Sequence, residues 1–175
     1  MIKFFFLIFV IYSSSLIASN IATINIEYII SKNQDYDLYI NDLENKKINI
    51  DKQIIYKENT LLENQKSILD SRVLLSQNEF DKKITLNMKL IEDFKIKVDN
   101  LNILINQNLD ENKSIIINEI INLSNEYAKI NNLDLILNEN NYFISSKDID
   151  ISEKIMSKLE KKKIKLKFFE TNIVF

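Results

Sequence analysis

The sequence predicts an α+β protein. It has a small β body of three short strands joined to a long antiparallel α-helical coiled-coil hairpin, completed by association of copies. Three observations lead there. From Tyr36 to Ile130, apolar residues recur at heptad spacing with no segment that reads as a strand. Runs rich in β-branched residues flank that stretch on both sides. The chain has no Gly and no Pro, which makes sharp turns scarce and favours few, long elements.

Residues 1–19 read as a secretory signal peptide. Lys3 is the positive start, Phe4 to Tyr12 is an unbroken apolar run, and Ala18 and Ser19 are small residues suited to cleavage. The run is too short for a bilayer core of about 30 Å. Without Cys there is no lipid attachment and no disulfide, which fits a periplasmic location. Cleavage after Ala18 removes Lys3, leaving 22 Lys and Arg against 25 Asp and Glu, a net charge of −3. So slight a charge gives no argument for nucleic acid as a partner.

Residues 20–35 open the body. Ile21 to Glu27 alternates Ile24 and Ile26 with Asn25 and Glu27, a half-buried strand. Tyr28 to Ser31 then suits a short helical turn. Residues 36–130 form the hairpin arm. One seam position holds Ile40, Lys47, Ile54, Leu61, Ile68 and Leu75; the other holds Tyr36, Leu43 and Ile50, then Lys57, Asn64 and Ser71. The second half places Ile84, Ile91, Val98 and Ile105 on one position and Phe80, Phe94 and Leu101 on the other, with Asn87 interrupting. The seam is therefore apolar near the body and diluted outward. A four-residue step carries it on to Leu109, Ile116, Leu123 and Ile130, a stutter that unwinds the supercoil locally. Polar residues around Ser76 to Lys83 place the tip there, with Ser or Asn to cap the returning helix. Two helices of about 45 residues would each be about 65 Å long.

Residues 131–159 return to the body. Asn131-Asn132 breaks the helix, Leu133 to Asn138 reads as a second strand, and Tyr142 to Ser145 as a short third. Three short strands cannot bury both faces, so oligomerisation is the expected remedy, with Ile24, Ile26, Leu135, Leu137 and Phe143 as its residues. Ser152 caps a last helix that places Ile155, Met156 and Leu159 on one face. Residues 160–175 are a Lys-rich extension in which Lys163 to Phe168 alternates basic and apolar. It has three readings: an edge strand of the body, a segment lying on an anionic membrane surface, or a frayed end.

This order of elements resembles the Skp (OmpH) family of periplasmic chaperones. The resemblance rests on Ile21-Ala-Thr-Ile-Asn-Ile-Glu-Tyr-Ile-Ile-Ser31, on Leu133-Asp-Leu-Ile-Leu-Asn138 and on Asp150-Ile-Ser152, where the family has an Asp-Ile-Thr-like helix start. It implies a homotrimer whose arms enclose a cavity for unfolded outer-membrane β-barrel proteins, held without ATP. The family is commonly basic; this chain departs from it. Its positive residues at the tip are Arg72, Lys82, Lys83 and Lys89, against Glu79 and Asp81. They are either local, salt-sensitive client contacts or solvated helix charges.

No chemistry is expected. There is no His or Cys for a base, nucleophile or thiolate metal site, and no Gly for a phosphate-binding loop. Catalytic, cofactor and metal residues are therefore none. Glu92 and Asp93 are adjacent carboxylates without a pocket to shift them. The off-seam apolar residues Ile55, Tyr56, Leu62, Leu69, Leu74, Leu86, Met88, Leu90, Ile96 and Ile103 fit either a wider packing stripe or a lining for clients. The second functional class is a structural or adaptor coiled coil of the envelope that binds a folded partner.

Overall fold

The computed structural model describes residues 20–170. The expected signal segment and the last five residues lie outside that range. Strand β1 (Ile21–Ile24) is followed by helix α1 (Ile26–Lys32), and helix α2 (Gln34–Asp70) begins two residues later. Two asparagines make these sharp steps in a chain without glycine. Asn25 ends the strand and its side chain accepts from the Tyr28 N–H at 2.7 Å; Asn33 accepts from the Tyr36 N–H at 2.9 Å. The alternation expected to carry a strand to Glu27 therefore stops at Ile24, and Ile26 opens a helix.

A 3₁₀ turn at Ser71–Leu74 joins α2 to helix α3 (Gln77–Asn131). The break thus lies at residues 71–76, and residues 77–83, expected at the tip, form the first turns of α3. Ser76 decides this. Its hydroxyl accepts from the Glu79 N–H, and the Glu79 side chain returns to the Ser76 N–H, a reciprocal cap. The two helices are unequal, at 37 and 55 residues, or about 55 and 80 Å. Their partners recede from the turn in step. Arg72 stacks on Phe80, Leu61 and Phe94 line one groove, and the Tyr39 hydroxyl donates to Asn108 Oδ1 at 2.8 Å.

Helix α3 ends at Asn132, which adopts φ 51° and ψ 45° in glycine's usual place. Strand β2 (Leu135–Asn138) then pairs with β1 in parallel, Ile21 opposite Leu135 and Ile24 opposite Asn138. Asp150 makes a single parallel bridge to Thr23 on the other edge of β1, and the Ile151 N–H donates to the Thr23 carbonyl at 2.9 Å. The expected third strand at Tyr142–Ser145 is absent. That segment follows a 3₁₀ turn at Glu139–Asn141 and joins no strand ladder among the described residues, and Phe143 and Ile144 are fully or largely exposed. Strand propensity needs a ladder to join, and Asp150 occupies the second edge of β1. Helix α4 (Ser152–Leu159) follows. Ser152 was expected as its N-cap but is its first residue. Its hydroxyl accepts from the Asn25 N–H at 2.7 Å, tying α4 to β1.

Two apolar clusters hold these elements. One joins Ala22, Ile24, Ile29 and Ile30 to Ile116, Ile120 and Leu123 of α3 and to Ile151, Ile155 and Leu159. The other joins Tyr39, Leu43 and Ile50 of α2 to Leu101 and Ile105 of α3 and to Phe169. Beyond Ile50, Leu61 is the last buried apolar residue of α2 among the described residues.

Among its described residues the Lys-rich extension is neither an edge strand nor a frayed end. Residues 160–170 form no strand, and from Lys162 to Phe169 they lie bound across α2 and α3.

The reciprocal cap at Ser76 is testable. The Glu79 carboxyl is held below its ordinary range, first by the Ser76 side chain, then by the Ser76 backbone and by Lys83. A depressed acid stabilises above its unfolded pKa and loses that contribution as pH falls through the folded one. Acidification below the usual carboxylate range is expected to fray residues 77–80, read from their Cα chemical shifts, and Glu79→Gln is expected to show no such transition. Ser76→Ala is expected to cost about 1 kcal/mol.

Candidate functional site

The two long helices carry the features that distinguish this surface. Among the seam residues, Leu43, Leu61 and Ile105 are buried, while Ile40, Ile54, Ile91 and Val98 are half-buried. Leu43 and Ile105, with Ile40 and Ile54 against them, belong to the apolar cluster between α2 and α3. Asn87, the polar interruption, is also buried, and its amide nitrogen has no hydrogen-bond partner among the described residues.

All ten off-seam apolar residues are exposed, from 47% at Leu90 to 87% at Leu74. They show an order the heptad alone did not reveal. Ile55, Leu62 and Leu69 continue a row begun by Ile48, also exposed, at successive seven-residue steps along α2. Such a row drifts only about 20° per step on a straight helix, so it forms one apolar strip from base to tip. Ile48 was missed because it precedes the region where the seam thins, and Val73, 92% exposed, because it lies in the turn. Aligned in this way along one helix, these exposed apolar residues are a candidate interaction surface.

The tip carries the four expected cations. Arg72, Lys82, Lys83 and Lys89 are all exposed. Arg72 is partly engaged already, its guanidinium 5.2 Å from the Phe80 ring centroid. Lys82 and Lys89 flank a shallow groove with Asp81, Thr85 and Leu86. Asp81 accepts from the Gln77 side chain at 2.8 Å.

The residues expected to mediate oligomerisation separate. Ile24 is buried within its own chain's core and offers little to a partner. Ile26 and Leu137 are half-buried, Leu135 is exposed on β2, and Phe143 stands fully in solvent. A groove of about 940 Å³ opens between the end of α3 and β2, lined by Ile26, Ile120, Ile121, Leu133, Leu135 and Ile136 among others. Ser124 borders it, its hydroxyl buried without a partner among the described residues.

The shifted titrations are structural. Burial holds the Tyr39 hydroxyl above its ordinary value, keeping it a neutral donor to Asn108. A hydrogen bond to Glu153 does the same for Tyr28. The Lys162 ammonium is raised by its contact with Glu119. Among the described residues, no group of three or more His, Cys, Asp or Glu could hold a metal ion, and no helix is long and apolar enough to cross a membrane.

No protein-family model matches this sequence, and no curated protein does. The fold has a counterpart among solved structures. A candidate outer membrane chaperone, described as OmpH-like, from Caulobacter crescentus CB15 superposes with a TM-score of 0.71. The match covers 81% of this chain and 83% of that one at 8% identity. So few shared residues carry an argument about architecture alone: two long helices standing on a small β body. The chain has the fold of an OmpH-like chaperone.

Proposed function

We propose that this chain is an ATP-independent holdase of the periplasm that keeps unfolded outer-membrane β-barrel proteins soluble between helical arms. The observation that carries the reading is the exposed strip Ile48, Ile55, Leu62 and Leu69 beside a buried seam, on a fold shared with an OmpH-like protein. In this reading residues 20–35 and 131–159 are the body, and α2 and α3 form an antiparallel hairpin arm. The extension runs from residue 160, and the signal peptide directs export. Weak apolar contacts distributed along an arm retain a chain of no fixed shape and release it without fuel. The tip cations add local, salt-sensitive attraction for acidic segments.

Three copies would complete the body. Strand β2 is four residues long and pairs only with β1 among the described residues, which leaves its outer edge free to extend a sheet into a neighbour. The groove beside it and the solvent-exposed Phe143 and Ile144 supply apolar surface for the same contact. Leu135→Asp is expected to turn a trimer into a monomer by light scattering while helix content stays unchanged, because Leu135 is 45% exposed in the single chain. Retention of the trimer would remove β2 from the interface.

The purified mature protein, at one trimer per client, is expected to suppress aggregation of a urea-unfolded outer-membrane barrel diluted into buffer. Undiminished aggregation would leave the same arms as an adaptor for a folded envelope partner.

A further inference from the structure

Residues 163–170 cross the α2–α3 pair near its base as an extended segment without a strand partner. Their alternation is resolved spatially. Lys163, Lys165 and Lys167 are exposed and Ile164 and Leu166 are half-buried against the helices; the period then breaks, with Phe168 48% exposed and only its edge on Tyr39, and Phe169 buried with Tyr39, Leu43 and Leu101. The polar grip falls largely on the main chain. The Ile164 N–H donates to Asp35 Oδ2 at 3.0 Å, and the Phe169 carbonyl accepts from Lys46 Nζ at 2.7 Å. Between them, Asn112 addresses both backbone groups of one residue. Its Oδ1 accepts from the Lys167 N–H at 2.7 Å, and its Nδ2 donates to the Lys167 carbonyl at 2.8 Å. Asn108 Nδ2 reaches that carbonyl at 3.1 Å.

Asn112 is fully buried beneath the segment. An asparagine that both donates to and accepts from one residue's main chain binds an extended peptide whatever side chain that residue carries. The side-chain bridge from Lys167 to Glu111 is exposed, at 3.1 Å, and such pairs contribute little. Selectivity is therefore for a shape, an extended backbone, with apolar residues at alternate positions 164 and 166, an edge contact at Phe168, and the firmest apolar anchor at Phe169.

We propose that this groove is a binding site for one extended peptide strand, with residues 163–170 as its resident occupant. A client segment of alternating apolar and polar residues, the pattern of a transmembrane β-strand, displaces the tail and takes its place. The proposal rests on the holdase reading for the identity of the client. Tethering to α4 gives the tail the advantage of an intramolecular ligand. A few backbone hydrogen bonds and three apolar side chains are nevertheless a hold that a client binding elsewhere along the arms outcompetes. The tail then keeps the groove closed to short stray peptides and yields to long clients.

The test uses the full mature chain. Amide exchange at Ile164 and Lys167 is measured alone and with a saturating urea-unfolded outer-membrane barrel. Exchange at Lys167 at least tenfold faster with client is the expected result; unchanged or slower exchange while the client is held overturns the proposal. In a second arm, Leu166→Asp/Phe169→Asp weakens the occupant, and a ten-residue barrel-strand peptide is expected to bind at least tenfold tighter than to the unaltered chain. Adding Asn112→Leu is expected to abolish that gain. Equal peptide affinity in both chains, with helix content preserved, overturns the proposal; if the double variant does not fold, the exchange measurement on the unaltered chain decides. A barrel held with Lys167 still protected removes the groove and leaves the holdase. Peptide bound by the double variant without suppression of barrel aggregation removes the holdase and keeps the groove as a peptide site.

Discussion

Ile155→Ala is expected to lower the unfolding free energy by about 2–5 kcal/mol, a loss that in α4 only truncation of the equally buried Leu159 should match. Ile155 is fully buried in the cluster that joins α1, α3 and α4. Helix α4 has only eight residues, far too few to persist by itself. It stays folded because Ile151, Ile155 and Leu159 are packed and because Ser152 binds the Asn25 backbone. A cavity at Ile155 is thus not filled by small shifts; it loosens the element that carries the tail and packs on α1 and α3. Total stabilities are about 5–15 kcal/mol, so the loss is a large share. Urea denaturation of the variant measures it. Met156→Ala, at a half-buried position beside it, is expected to cost less than half as much. A change below about 1 kcal/mol for Ile155→Ala would mean that α4 does not belong to the core.

Asn112→Leu is expected to detach the tail without unfolding the helices. The substitution nearly conserves volume and favours helix, so α3 itself loses little. What it removes is the acceptor for the Lys167 N–H and a donor to the Lys167 carbonyl. Each buried polar group left unpaired costs about 1–3 kcal/mol. The chain avoids that cost by letting residues 163–170 leave the surface, so the loss is capped at the free energy that holds them there. Trypsin is expected to cleave after Lys163 and Lys165 at least tenfold faster, while the helical signal stays unchanged. A lowered unfolding midpoint with the tail still protected would place Asn112 in the core of the helix pair instead.

The tail shows where sequence reasoning reached its limit. Lys163 to Phe168 has a period of two, and a period of two in an extended chain says which side chains share a face. It does not say what the backbone meets. Here the partners are side-chain amides at Asn108 and Asn112, carboxylate Asp35 and the ammonium of Lys46. Two of these are asparagines on a long polar helix, where asparagine is ordinarily solvated, so nothing local distinguishes them. The error at Tyr142–Ser145 has the same origin. Tyr-Phe-Ile favours a strand, but a strand is a pairing, and the available edge of β1 went to Asp150 from farther along the chain. At Ile26 the ambiguity was between periods: Ile24 and Ile26 fit alternation, while Ile26, Ile29 and Ile30 fit a helix. The Asn25 cap decided for the helix.

The arms were legible because their signal is long. Over many heptads the apolar period separates from chance, and the weakening after Ile50 reads directly as the thinning of the buried seam. The turn was misplaced by a few residues because, without glycine or proline, only the Ser76–Glu79 pair marks it. The client-facing candidates were half legible. The sequence showed apolar residues off the seam, but whether each faces a neighbour or water depends on what packs beside it.

By itself, the sequence determined the long helices, their inward faces and the need for strands at both ends, because periodicity and propensity act between near neighbours. Only the tertiary structure decided that the sheet is two parallel strands, that Asp150 replaces a third, and that the basic tail is seated on Asn112. Each of those depends on hydrogen-bond partners about 55 to 130 residues apart, and no local pattern of side chains specifies which distant backbone will arrive to complete a pair.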